Sequence, residues 1–489
     1  MQQERVLRIP RREPIAKRLG KGAAVLLGLL VVDLLALELS LLFAYVLREA
    51  LDTLLFNSNK LLRLFFPSSS LSFALLLFPL GYALAGLYPG YGLPPVERIR
   101  RKVLVTLLMF LALIAWEWLF LREGWSRGVL LLALGFALVL PSLFEALARE
   151  GLVRLELWGT PVLILGAGRT GALVARALLR ERALGLKPIG FLDDDPTKWE
   201  KQIEGLPVLG ALAEAGGWVQ EGVRTAVLAM PGVGRKRLLE LLEGLPFPKV
   251  VLVPDLLETQ SLWVSVRDLG GILGLEMRNN LLFAQNKFIK RAMDLGISVP
   301  LFLASLPLMA VLALLIKLVD RGPVLFSQER IGYGCKPFRI WKLRTMSLDA
   351  EERLKVLLEK DPKAKEEWQK FRKLKNDPRL LPVVGKILRK MSLDELPQLW
   401  NVIRGDMSLV GPRPAFHEEL EAYYGPLAKL YCSVRPGLTG PWQIMGRNQL
   451  EFAERVALEA YYVRNWSPWL DLYILARTVW VVLTSKGAH

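Results

Sequence analysis

The run 388–414, LRKMSLDELPQLWNVIRGDMSLVGPRP, sets two adjacent carboxylates, Asp394 and Glu395, between two arginines, Arg389 and Arg413. Carboxylates beside guanidinium forks suit phosphate chemistry. The arginines hold an anion through paired hydrogen bonds, and a carboxylate attacks it or holds a metal. Pro397 follows closely enough to sit in the first turn of a helix whose N-terminus would face the same anion. Taken alone, an Asp-Glu pair is more often the solvated start of a helix, where acids suit the dipole.

The scarce residue types narrow the options. There are two cysteines, Cys335 and Cys432, and two histidines, His417 and His489. No CxxC or HExxH spacing suggests zinc. A histidine triad has almost nothing to draw on. The two cysteines imply no disulfide framework, as expected of domains facing the cytosol. A chain of 489 residues allows about three domains. Hydrophobic residues make up 52% and mean hydropathy is positive, which points to a membrane protein. The net charge of +17 suits anionic head groups or phosphorylated substrates. Nucleic acid is not expected as a partner, because no basic run is interleaved with aromatics in a recognised module.

Four apolar segments, 22–47, 64–87, 103–121 and 128–147, are each near the length that crosses a bilayer. Arg5, Arg8, Arg11, Arg12, Lys17, Arg18 and Lys21 precede the first, and Arg98, Arg100, Arg101 and Lys102 follow the second. The positive-inside rule then places both ends of this four-span bundle, and all that follows from about residue 149, in the cytoplasm. Asp33, Glu38 and Glu117 fall inside spans. A transport path needs more such groups than these, so the expected role is pairing inside the bundle.

Past residue 155 the chain reads as soluble. TPVLILGAGRTG is a short apolar strand followed by Gly166, Gly168 and Gly171 in G-x-G-x-x-G spacing, with a helical stretch over 172–182. A second strand, IGFLDDDP, brings Asp193 some twenty residues later, and 225–230 and 249–254 read as further strands. This is a Rossmann-like unit whose glycines would let a pyrophosphate approach the helix N-terminus. No Tyr-x-x-x-Lys pair follows, so a sensed nucleotide and a fold used only for packing or dimerisation stand as equal readings.

The segment 295–318 is apolar for about 24 residues, enough to span. Pro307 interrupts its centre, and Lys287, Lys290 and Arg291 before it match Lys317, Arg321 and Arg330 after it. A helix–break–helix hairpin that enters and leaves on one face is expected, with a kinked fifth span as the alternative. The final apolar stretch, WSPWLDLYILARTVWVVL, reads as a helix at the membrane surface or one packed on the preceding domain.

The motifs KRAMDLGIS, GPVLFSQERIG, FRIWKLRTM, KLKNDPRL, SLDELPQLWNV, GDMSLVGPRP and RPGLTGPWQIMGRN run in order from about residue 286 to the end. By these the chain resembles the bacterial sugar transferases, the monotopic polyprenyl-phosphate phosphoglycosyl transferases. The preceding spans and α/β unit look like the large subgroup that starts O-antigen, capsule or exopolysaccharide synthesis. Two positions depart from the family pattern: KLRTM, and Glu459 where aspartate is common.

The resemblance implies a UDP-sugar and a polyprenyl phosphate such as undecaprenyl phosphate as substrates. It makes Asp394 the nucleophile that forms a covalent phospho-sugar enzyme with release of UMP, and Glu395 its partner, with Mg2+ held at the pair. Lys342, Arg344, Arg435 and Arg447 are further candidates for substrate or head-group cations; each could instead be a surface ion-pair residue. The expected architecture is a membrane helix bundle (1–150), a Rossmann-like cytoplasmic domain (151–280) and a mainly α monotopic catalytic domain (281–489) with its re-entrant helix over 290–319. Its place would be the bacterial inner membrane, with the site on the cytoplasmic face and a homodimer built through the soluble extension. The rival reading, a membrane-anchored NAD-dependent nucleotide-sugar dehydratase or oxidoreductase, rests on GAGRTG alone. A non-enzymatic scaffold, the third, would tolerate any change at Asp394.

Overall fold

The computed structural model describes residues 15–56, 74–116, 118–119, 126–254, 264–268, 273–277, 280–361, 377–445 and 452–483. The chain divides into two compact units, 1–259 and 260–489.

In the first unit the leading apolar run forms one 42-residue helix, Ile15–Phe56. Shorter helices follow at Phe78–Leu84, Pro95–Trp116, Arg127–Ala137 and Leu140–Arg154. Leu37, Leu41, Phe78, Tyr82, Phe110 and Leu130 form the buried seam between them. Among the described residues three helical stretches are long and apolar enough to cross a membrane: Lys21–Leu54, Arg127–Arg154 and Ala284–Val319. The expectation of four spans ahead of the α/β unit is therefore met for the first and fourth segments only. Of the second, 64–73 lies outside the described residues, and what remains of it centres on a seven-residue helix. The third belongs to a helix whose N-terminal half carries Arg98, Arg100, Arg101 and Lys102.

Two of those cations are fully enclosed. Lys102 Nζ meets Asp33 Oδ1 and Glu145 Oε2, both at 2.6 Å. Arg98 pairs with Glu145 Oε1 at 2.8 Å, and the Tyr88 hydroxyl donates to Asp33 Oδ2 at 2.5 Å. Charges out of water must be paired, and this network ties the helices Ile15–Phe56, Pro95–Trp116 and Leu140–Arg154 together. Asp33 thus pairs inside the bundle, as its intramembrane position leads one to expect. Glu117 lies outside the described residues.

The α/β part carries six strands: β1 Thr160–Leu165, β2 Leu186–Leu192, β3 Gln202–Ile203, β4 Leu206–Gly210, β5 Thr225–Leu228 and β6 Lys249–Leu252. Their order is β3-β4-β2-β1-β5-β6, with every pair parallel except β3 with β4. The chain runs outward in both directions from β1, which is the doubly wound arrangement. Gly166 has φ +103°, and a Cβ on Gly171 would lie 2.0 Å from the Gly166 carbonyl oxygen. These two glycines close the strand-to-helix turn, whereas a Cβ on Gly168 would meet nothing within 4 Å.

The second unit begins with the hairpin of β7 Val264–Asp268 and β8 Leu273–Met277. The helix Ala284–Val319 follows, continuous over 36 residues with Pro300 and Pro307 inside it. Where the sequence predicts a helix, a break at Pro307 and a second helix, the secondary structure is a single element. The antiparallel pair β9 Leu325–Ile331 and β10 Pro337–Leu343 comes next. The helices Val384–Lys390 and Gln398–Arg404 flank the carboxylates, and the parallel pair β11 Ser408–Val410 and β12 Gly437–Thr439 lies behind them. The helices Phe452–Asn465 and Pro468–Leu483 close the fold.

Buried polar bonds fix this unit. Asn401 takes the Trp341 backbone N–H on Oδ1 and donates to the Arg339 carbonyl through Nδ2, locking β10 to the helix Gln398–Arg404. Lys290 links Asp294 and Asp471 at 3.0 and 2.7 Å. Trp466 and Asp471 are buried and bonded to each other, so the last helix starts as core, while Trp480 near its other end is exposed. Cys335 and Cys432 form a disulfide across 97 positions, against the expectation that the two cysteines imply no disulfide framework. The turn after β9 and the helix Ala428–Cys432 meet only in the folded chain, so sequence spacing gives no warning of it.

Candidate active site

Asp394 and Glu395 occupy a single 3-10 turn, Leu393–Glu395, entered through Ser392 in the left-handed region at φ +55° and left through Pro397 into the helix Gln398–Arg404. That helix has seven residues and starts where Pro397 predicts. The turn points the two carboxylates differently. Asp394 is 9% exposed, while Glu395 reaches Lys342 Nζ at 2.7 Å. Burial and the charge of Glu395 push the Asp394 carboxyl up to about 6, against the pull of Lys342 and Arg389. Lys342 reaches the pair from β10, which Asn401 holds in place.

Arg389 stands on the helix Val384–Lys390 beside Asp394, with its Nε 3.2 Å from Thr345 Oγ1 and Nη1 4.0 Å from Asp377 Oδ2. Arg413 lies on the other flank, where the charge of Glu395 acts on it. Its backbone N–H donates to Glu459 Oε1. Its guanidinium packs 5.2 Å from the centre of the Trp442 ring, with no hydrogen bond or ion pair to any described residue. Glycines set its backbone: a Cβ on Gly411 would lie 2.7 Å from the Arg435 carbonyl oxygen, and one on Gly440 would lie 2.3 Å from the Gly411 carbonyl oxygen.

The structure therefore brings together Asp394, Glu395, Lys342, Arg389 and Arg413. Arg344 is placed otherwise. It is buried, and its guanidinium pairs with Asp320 at 2.7 Å and with the Asp320 carbonyl, closing the end of the long helix. Arg435 donates from Nε to the Gly405 carbonyl and stacks 5.6 Å from the Tyr333 ring centre. Arg447 lies outside the described residues. Arg330 and Arg455, given no place in the site by sequence reasoning, surround Arg413; Arg330 entered there only as a basic flank of the apolar segment and within the QERIG motif, and the fold buries it. Glu459 accepts from Arg413 N, Arg455 Nε and the Tyr424 hydroxyl, so the longer side chain fills a complete polar node.

Among the described residues no group of three or more potential metal ligands comes together. Two adjacent carboxylates still suit Mg2+, which takes one or two carboxylates and completes its shell with water and substrate phosphates. In the α/β unit, Asp193 stands at the end of β2 beside the glycine turn. It accepts from Ala167 N at 2.7 Å and pairs with Lys198 at 3.0 Å. The carboxylate that would read a ribose thus holds the turn itself.

Comparison with known proteins decides the family. The model of the bacterial sugar transferase family matches residues 285–485, and that of a CoA-binding domain family matches 83–247. The undecaprenyl-phosphate galactose phosphotransferase of Salmonella typhimurium is 35% identical over 402 residues, covering 81% of this chain and 82% of the relative. The chain belongs to the bacterial sugar transferase family. Within it, the UDP-galactose-lipid carrier transferase of Erwinia amylovora is 34% identical over 371 residues, covering 74% of this chain and 76% of its own. The UDP-glucose:undecaprenyl-phosphate glucose-1-phosphate transferase of Escherichia coli is 35% identical over 250 residues, 49% of this chain and 50% of its own. As a sugar-phosphate transferase, the protein carries its carboxylate turn inside the residues that the family model matches.

Proposed function

We propose that this transferase moves a sugar-1-phosphate from a UDP-sugar to undecaprenyl phosphate or a similar polyprenyl phosphate, as the first membrane step of an exopolysaccharide, capsule or O-antigen. The observation that carries this reading is Asp394, buried beside Glu395 and flanked by Lys342, Arg389 and Arg413, whose guanidinium has no ion pair among the described residues. An Asp394 oxygen attacks the β-phosphorus. The bond from that phosphorus to the bridging oxygen breaks, and the electron pair leaves with UMP. The phospho-sugar stays on Asp394 as an acyl phosphate until an oxygen of the lipid phosphate attacks the same phosphorus and frees the carboxylate. Lys342 and the arginines neutralise the charge spread over the phosphoryl oxygens. A Mg2+ held by Asp394, Glu395 and substrate phosphates would add to that neutralisation.

The long helix supports a re-entrant arrangement with the site on the cytoplasmic face of the inner membrane. Near its start, Arg291 donates to the carbonyls of Val402 and Ile403, and Asp294 accepts from Ser408. Near its end, Leu312 and Ile316 pack on Leu343, Leu381 and Leu388. Both ends dock on one folded unit, which a helix with about 30 Å of hydrocarbon between its ends would not do.

The test is UMP release from UDP-galactose, UDP-glucose and N-acetylated UDP-sugars with undecaprenyl phosphate in detergent or nanodiscs. Lipid-dependent release from at least one donor is expected. Release from none of them would remove the proposal.

A further inference from the structure

Behind Arg413 lies a group of cations that the chemistry at Asp394 does not use. Arg330 and Arg455 are each 8% exposed. Arg455 sits 5.0 Å from the centre of the same Trp442 ring that Arg413 covers, and Arg330 stacks on Phe416 at 3.1 Å. Burial and the charges of Arg413 and Arg455 hold Arg330 down to about 10.

Their hydrogen-bonding capacity is not used up. Arg455 spends Nε on Glu459, and Arg330 spends Nη2 on Gln328. Arg330 Nε, Arg455 Nη2 and Trp442 Nε1 are buried donors with no partner among the described residues. A buried donor left without a partner is destabilising. Among the described residues the acids facing the three arginines are Glu459 and Glu419, while Glu395 is already taken by Lys342. The cluster has excess positive charge and spare donors, which calls for a compact anion rich in acceptor oxygens.

Its place identifies which anion. Arg413 feels Glu395, the neighbour of Asp394, so an anion here lies beside the phosphorus under attack. Arg389, on the opposite flank, stands on the helix whose Leu388 packs against Ile316 of the long apolar helix. Arg330, Arg413 and Arg455 come from β9, the loop after β11 and the helix Phe452–Asn465, and line a core built from Tyr424, Tyr431 and Val456. If the lipid phosphate approaches along the apolar helix, past Leu388 and Arg389, the Arg413 side is left for the nucleotide.

We propose that Arg330, Arg413 and Arg455 form the subsite for the α-phosphate of the nucleoside diphosphate sugar, the phosphate that departs in the nucleoside monophosphate. This rests on the reading above and adds residues and a side to it. Bound there, the leaving oxygen develops its charge against three guanidinium groups.

The test uses the full chain in nanodiscs. UMP, then inorganic phosphate, is titrated by calorimetry without any sugar donor, and the kcat/KM for undecaprenyl phosphate is measured separately. Arg330→Gln and Arg455→Gln should each weaken UMP binding by about tenfold or more. Arg455→Lys should recover part of it. The kcat/KM for the lipid, which in a two-step transfer reports only the second half-reaction, should stay within about twofold. Unchanged UMP affinity overturns the proposal, and so does an equal loss for UMP and lipid, which would mark a merely structural cluster. Should a variant fail to fold, the wild-type chain still decides: millimolar UMP must raise its melting temperature, and no rise rejects the subsite. Binding of UMP that the variants lose, in a chain that turns over no UDP-sugar, would remove the transfer reading and leave the subsite standing.

Discussion

Asp394 is held in conflict with its surroundings. Burial and the charge of Glu395 push its carboxyl up from 3.8 to about 6, opposing the charge that a nucleophile needs. A folded-state value above the unfolded one means that the folded chain binds the proton more tightly. The stabilising contribution of the protonated form is therefore complete below about pH 4 and lost as pH rises through about 6. Asp394→Asn keeps that position neutral. In chelator it should be more stable than the wild type by up to about 3 kcal/mol at pH 8, with the gap closing toward pH 4, read by chemical denaturation at both values. Equal stability at pH 8 would mean that the site does not strain the carboxylate. Sequence alone exposed Asp394, Glu395, Arg389 and Arg413 because one short segment carries them. Lys342 and Arg344 stand two apart, which on a strand puts them on one face, yet β10 ends at Leu343 and Arg344 turns away to Asp320. Arg330 and Arg455 stayed hidden because only folding brings β9 and the helix Phe452–Asn465 around Arg413.

Elements whose apolar pattern is uninterrupted were legible: the leading helix, β1, β2, and the helix from Ala284. The helix Pro95–Trp116 was legible only in part, since hydropathy counts Arg98 and Lys102 as exposed charges. The fold instead encloses them with Asp33 and Glu145. Removing one partner of such a group leaves the rest unpaired. Lys102→Met should cost about 3–5 kcal/mol in detergent unfolding. Adding Asp33→Asn should return part of that loss by removing one stranded charge. A neutral effect of Lys102→Met would show that water reaches the network. Pro307 pointed to a broken helix, but the helix continues through it, and its two ends find separate docking points on the same unit.

At the scale of the whole chain, the order of membrane helices, doubly wound sheet and transferase unit follows from composition and motif order along the sequence. The covalent link between Cys335 and Cys432 does not, because two cysteines 97 positions apart carry no periodicity. It closes a loop that contains Asp394. Cys432→Ser, or a reductant, should lower stability by about 4–5 kcal/mol in the chain-entropy account. Unfolding with and without dithiothreitol measures this, and no difference would mean that the pair contributes nothing in solution. The central claim is that this molecule holds a phospho-sugar on Asp394 between its two substrates. Its most direct test is the intact mass of the purified chain after incubation with a UDP-sugar and no lipid. The wild type should gain the mass of one sugar phosphate and lose it when undecaprenyl phosphate is added, and Asp394→Asn should gain nothing. Normal lipid-dependent turnover by Asp394→Asn, or the same adduct on that variant, would contradict the account.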